Sequence, residues 1–255
     1  MEQFNSYLVS NQLAETTIKN HIRNLSKVDL NLLDGDEGAL IRYVQEHYTI
    51  GSQQKTIVTS ISKYRNYKNL HRDKIMTLLT KANNDSAKIQ LKNNEERIIP
   101  DINDVKSLMN TYYKNGRWRK YAIMYLLIHL QTRNLDLVAK VTSDKKDIDD
   151  ETNWLYVRKN DVVFIRNNYK TKSCYGTKKD VIVNKKFYNS ILLCTELLRP
   201  NENLYRSVME ITGNINETTL MKMAVCNNNN VKGIAKISKN RGTSMSVIAT
   251  NYDCT

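Results

Sequence analysis

The stretch Trp154–Val183, WLYVRKNDVVFIRNNYKTKSCYGTKKDVIV, decides the fold class. Its runs Trp154–Val157, Val162–Ile165 and Val181–Val183 are short, β-branched and aromatic, as strands are. The first two are separated by Arg158-Lys159-Asn160-Asp161, a turn-forming sequence. Outside this stretch the apolar residues recur with helical spacing, and two prolines and eight glycines in 255 residues leave long segments free to be helical. The expected fold is therefore mainly α with a small antiparallel β-sheet or hairpin, an α+β protein.

Working outward, Pro100-Asp101 opens a helix with apolar positions Val105, Leu108, Met109 and Tyr112. Tyr121–Leu130, YAIMYLLIHL, is apolar on nearly every face and suits a buried central helix. Beyond the β-rich stretch, helices are expected at Phe187–Leu198, about Thr218–Cys226, and Val231–Lys239. At the other end, Thr16-Thr17 could cap a helix carrying Ile18, Ile22 and Leu25 on one face, and Ser52 one carrying Ile57, Ile61 and Tyr64. The segment KANNDSAKIQLKNNEERIIP, Lys81–Pro100, loses clear periodicity. A helical domain over 1–82, a linker over 83–99 and a second domain over 100–255 follow from that.

The chain carries 39 Lys and Arg against 26 Asp and Glu, a net +13. Residues 1–100 hold 14 basic and 11 acidic side chains, whereas 101–255 hold 25 and 15, so the excess belongs to the second part. It is densest over 158–186, with nine basic and two acidic residues. Such a charge implies a polyanionic partner, nucleic acid first of all. No apolar run approaches the roughly 20 residues of a membrane helix, and the N-terminus MEQFNSYLVS has no cleavable-signal pattern, so an intracellular protein with no membrane partner is expected. Cys174, Cys194, Cys226 and Cys254 form no CxxC pair and are expected to be reduced. His21, His47, His71 and His129 share no metal-ligand spacing, and there is no Walker loop, G-x-S-x-G or G-x-G-x-x-G. Neither a metal nor a small-molecule cofactor is expected.

Three segments of the second part, taken in order, resemble the tyrosine recombinase (phage integrase-like) family. Leu130–Val141, LQTRNLDLVAKV, contains R-x-x-acid-L as Arg133-Asn134-Leu135-Asp136-Leu137. By itself that is also an ordinary i,i+3 pair on a helix. Val162–Val183 is a basic strand-loop-strand, and Tyr169-Lys170-Thr171 is similar to the family's lysine-bearing hairpin. The C-terminal KISKNRGTSMSVIATNYDCT places Tyr252 nine residues after Thr243, the family's spacing from its late histidine to its nucleophilic tyrosine. The resemblance implies a helical core-binding domain followed by a catalytic domain that together clamp double-stranded DNA, and it allows a homo-oligomer on that DNA. It implies strand cleavage and rejoining through a 3′-phosphotyrosine, with Tyr252 as nucleophile, Arg133 and Arg241 as phosphate clamps, and Lys170 as general acid. Asp136, Lys172, Lys222 and Thr243 would support them. Lys55, Lys63, Arg65 and Lys68 in the first domain, with Arg166, Lys178 and Lys179 in the second, would contact the backbone.

The chain departs from the family in two places. Where the family's H-x-x-R supplies a second arginine, Asn216–Cys226 reads NETTLMKMAVC, leaving Lys222 as a point charge or a shifted Arg241 in its place. Thr243 stands where the late histidine is usual. Two further readings remain beside the recombinase: a non-catalytic architectural or regulatory DNA-binding factor on the same scaffold, and a type IB topoisomerase-like relaxase.

Overall fold

A computed structural model of the chain describes residues 1–49, 51–95, 99–228 and 230–252. It divides into two compact units, Met1–Arg97 and Ile98–Thr255. None of the described helices is long and apolar enough to cross a membrane.

Unit 1 is helical throughout: α1 (Glu2–Ser10), α2 (Glu15–Leu25), α3 (Leu30–Asp34), α4 (Glu37–His47), α5 (Gly51–Tyr67) and α6 (Asp73–Glu95). The central element is α5, whose Ile57, Val58, Ile61 and Tyr64 fall on one stripe and are buried with Phe4, Leu25, Leu40 and Ile75. A polar link crosses this core, where the Ser60 hydroxyl meets His21 Nδ1 at 2.9 Å and accepts from Asn24 Nδ2 at 3.1 Å. The stretch 83–95, expected as linker, is instead the second half of α6. Its Lys and Glu residues are good helix formers, so composition without periodicity misled there. Two expected caps also shift, because α2 starts at Glu15 and α5 at Gly51.

Arg65 is not a surface cation. Its side chain is buried and donates to His71 O at 2.7 Å, Leu33 O at 2.9 Å and Gly35 O at 3.0 Å. It closes the carbonyl end of α3 and fastens the turn between α5 and α6. Arg65→Ala is therefore expected to cost unit 1 about 3 kcal/mol in urea denaturation of the full chain, the scale of charged hydrogen bonds lost inside a protein. Lys55→Ala, on an exposed face of the same helix, should stay within about 0.5 kcal/mol of the parent.

Unit 2 places α7 (Ile102–Lys114) and α8 (Trp118–His129) before a four-stranded sheet. The Asp101 carboxylate caps α7, accepting from Asn103 N at 2.8 Å. The strands are β1 (Ala139–Thr142), β2 (Asn153–Val157), β3 (Val162–Arg166) and β4 (Lys178–Ile182), with the four-residue helix α9 (Lys172–Tyr175) in the β3–β4 connection. There follow α10 (Lys185–Ile191), α11 (Leu204–Ile211), α12 (Glu217–Cys226), α13 (Val231–Arg241) and α14 (Met245–Tyr252). The sheet order is β1-β2-β3-β4, antiparallel except that β1 runs parallel to β2. The sheet is thus mixed rather than a plain antiparallel hairpin.

The strand β1 is the element the sequence hid. Its four residues AKVT carry little pattern, and its free edge is filled by backbone bonds, Val141 N to Thr195 O at 2.8 Å and Leu197 N to Ala139 O at 2.9 Å. The same pairing explains why α10 ends at Ile191 rather than running to Leu198: the following residues are drawn alongside β1, and Leu197 and Leu198 are buried there. The core of unit 2 is α8, with Ala122, Ile123, Leu126 and Leu127 packed under the inner sheet face of Leu155, Val157, Val162, Phe164 and Ile182. Cys174 and Cys194 are free thiols, but Cys226 is disulfide-bonded, against the expectation of four reduced cysteines.

Candidate functional site

Strand alternation decides which charges reach the interior. On β3 the residues Val162, Phe164 and Arg166 share the inner face, and on β4 Ile182, Asp180 and Lys178 stand opposite them in register. Arg166 is wholly buried, with Nη2 2.6 Å from Asp180 Oδ2 and Nη1 3.3 Å from Asp136 Oδ2. Asp136 is itself wholly buried in the short 3-10 turn Asn134–Leu137, where it accepts the backbone N–H of Arg133 at 3.2 Å. Burial pushes the Asp136 carboxyl upward, while Arg166 and Arg133 pull it back only in part.

This arrangement fixes Arg133 at the end of α8. The chain turns through Gln131, whose φ is +48, and the Arg133 guanidinium then reaches across to donate from Nη1 to Arg241 O at 2.6 Å. Arg241 is nearly buried at the end of α13. Its Nη1 donates to Gln131 O at 3.2 Å, and its Nη2 meets the Glu217 carboxylate and lies 3.5 Å from the Tyr252 hydroxyl, the outer limit of a hydrogen bond. The guanidinium carbon is 5.8 Å from the Tyr252 ring centroid. Glu217, at the start of α12, also accepts Asn134 N at 2.8 Å, so one carboxylate ties α12 to both arginine-bearing turns. Burial and the charge of Arg241 lower the Arg133 pKa, against the pull of Asp136, Glu217 and Tyr252; a guanidinium stays charged regardless.

The β3–β4 hairpin closes on the same place. Lys178 Nζ donates to Lys239 O and Thr171 Oγ1 to Gly242 O at 2.8 Å, joining the hairpin to the last turn of α13. Gly242 has φ +64, a left-handed backbone that favours glycine, and a Cβ there would stand 2.8 Å from Lys178 Nζ and 3.0 Å from Thr171 Oγ1. Burial, then the charge of Arg166, holds the Lys178 ammonium below the ordinary lysine pKa, despite Asp180 and Asp136.

Of the residues expected at the site, Arg133, Asp136, Arg241 and Tyr252 come together. Arg166 and Lys178, expected on the DNA-contacting surface, belong to this cluster instead, and Arg166 is sealed from solvent. Lys170 is exposed, and Lys172 is turned to Asp150 O at 2.7 Å. Lys222 is fully buried in α12. Thr243 is half-buried just past α13, its backbone held by Ser238. Lys55, Lys68 and Lys179 are exposed and Lys63 is half-buried. Glu217 and Thr171 were not anticipated. Strand alternation could have found Lys178 and Asp180; no sequence pattern announces Glu217. Among the described residues no cluster of three or more His, Cys, Asp or Glu is arranged to hold a metal ion.

No family model and no curated protein matches the chain. Among solved structures it is similar to the crystal structure of XerA recombinase, at 12% identity and a TM-score of 0.38, covering 100% of this chain and 92% of that one. So distant a likeness identifies neither family nor activity.

Proposed function

We propose that this chain binds duplex DNA and that unit 2 is a metal-independent DNA strand transferase with Tyr252 as its nucleophile. The observation that carries this is the convergence of Tyr252, Arg241 and Arg133: a phenol beside one guanidinium, with the second guanidinium on that residue's own carbonyl. The Tyr252 hydroxyl releases its proton to solvent as its oxygen attacks a backbone phosphorus, a P–O bond forms to tyrosine as the bond to the 5′ oxygen breaks, and the 3′-phosphotyrosine keeps the energy for rejoining. Arg133 and Arg241 offset the charge that accumulates on the phosphoryl oxygens. Lys178, rather than Lys170 or Lys172, gives its proton to the departing 5′ oxygen, since a lysine with a lowered pKa is the better acid near neutrality. Arg166 does not touch the phosphate; it holds Asp136, and Asp136 holds the Arg133 turn. Lys55, Lys68, Lys170 and Lys179, all exposed, supply the sequence-independent backbone contacts. Covalent capture of a nicked duplex by the parent chain and not by Tyr252→Phe is the test.

One observation favours a non-catalytic DNA-binding protein on the same scaffold. The donors of the cluster are engaged internally: Arg133 and Lys178 by α13 carbonyls, Arg241 by Gln131 and Glu217. A phosphodiester entering must displace Glu217 from Arg241. Glu217→Gln removes the competing charge and is expected to tighten duplex binding about fivefold at low salt, the scale of ~1 kcal/mol for one charge at a partly screened site. Fluorescence anisotropy at several salt concentrations reads this. Weaker binding by the variant would mean that Glu217 only braces the fold.

A further inference from the structure

A second concentration of positive charge lies beside this centre. A cavity of about 200 Å³ is lined by Lys106 of α7, His129 at the end of α8, Gln131, Asn227 and Asn228 after α12, and Lys236 of α13. Among the described residues no carboxylate lines it. Among the described residues neither Lys106 nor Lys236 forms an ion pair. Both press on His129: partial enclosure first, then the charges of Lys106 and Lys236, hold its imidazole below the ordinary value, and its other neighbour is the Tyr125 ring at 4.4 Å.

Three amide side chains complete the polar lining. Gln131 donates from Nε2 to Ile128 O at 2.6 Å and accepts from Asn240 at 2.8 Å. Asn227 and Asn228 each spend one amide hydrogen on a helix carbonyl, at 2.7 and 2.9 Å, and keep the other. The first turn of α13 closes the wall at Gly233, where a Cβ would stand 2.5 Å from Asn228 O. Two elements thus bring exposed lysines without an ion-pair partner among the described residues to one cavity, where both attract an anion. The space is large enough for a tetrahedral oxyanion.

We infer that this cavity is a phosphate-binding pocket, distinct from the Arg133–Arg241–Tyr252 cluster, which seats a backbone phosphate next to the one held there. Gln131 joins the two sites, its side chain lining the pocket while its carbonyl accepts Arg241. The assignment to a backbone phosphate rests on the DNA-binding reading; the affinity for a phosphate oxyanion does not.

The test follows the His129 ring by NMR in the full chain, with His21 of unit 1 as internal control, while inorganic phosphate or a duplex oligonucleotide is added. An anion beside His129 favours the imidazolium, so its titration midpoint is expected to rise by about 0.5–1 while that of His21 stays put. Lys106→Ala with Lys236→Ala should abolish the response and flatten the slope of log K against log salt for the duplex by about one, the single phosphate the pocket seats. If phosphate moves His129 and the duplex neither binds nor moves it, the pocket stands as a free-phosphate site and the DNA-binding reading fails. If neither moves His129, or the response survives in the double variant, the pocket assignment is overturned.

Discussion

Tyr252→Phe is expected to eliminate covalent capture of DNA while leaving duplex affinity unchanged. The substitution removes one oxygen, the atom that would bond to phosphorus, and keeps the ring against which Arg241 lies. On a nicked duplex, cleavage releases a short 5′-hydroxyl fragment that diffuses away, so the parent chain should accumulate as a protein–DNA adduct. Loss of the nucleophile should lower that rate by roughly 10⁴-fold or more. Arg133→Ala, which removes charge neutralisation but keeps the nucleophile, should cost about 10²–10³. The lysine assignment separates in the same assay. A duplex whose scissile 5′ oxygen is replaced by sulfur has a leaving group that needs no proton, so it should restore Lys178→Ala and make no difference to Lys170→Ala. An intact, tightly bound duplex with no adduct on the parent chain would leave the non-catalytic reading standing.

Why some of this was visible in the sequence and some was not has a physical answer. Periodicity reports burial, so α8 and the strands around Leu155 and Phe164, which fill one core, were legible from apolar spacing alone. The spacing of Arg133 to Asp136 and of Thr243 to Tyr252 was legible because both pairs lie within single local elements or across one short turn. What failed was whatever depends on partners far along the chain. β1 is held by backbone pairing with residues more than fifty positions away, and Arg65 is turned inward by carbonyls of a different helix. Lys170 and Lys178 sit eight residues apart in one basic hairpin, and only the register of β3 with β4 shows which faces the cluster. Glu217 is adjacent to nothing that marks it; its role appears only when α12 and the Arg133 turn are seen together.

Arg166 carries the second large effect, and it separates folding from positioning. Arg166→Met leaves Asp136 buried without its main countercharge, which is expected to cost about 3–5 kcal/mol at pH 7. The Asp136 carboxyl, already raised by burial, should rise further, so the native variant binds a proton that the unfolded chain does not. Where the native state binds more protons, stability falls as pH rises. The deficit should therefore be smallest near the unfolded carboxylate pKa of ~4 and grow toward neutrality, a trend readable from urea midpoints measured across that range. The pair is imperfectly satisfied even in the parent, since Asp136 Oδ1 and Arg166 Nε are buried without a hydrogen-bond partner among the described residues. Replacing both, with Arg166→Met and Asp136→Leu, should thus recover most of the lost stability, as apolar replacement of buried ion pairs generally does. It cannot restore the acceptor for the Arg133 backbone N–H. A double variant as stable as the parent, yet slow in covalent capture, would show that the buried ion pair is kept to aim Arg133. A double variant that is stable and fully active would show that the Arg133 turn holds its shape without it.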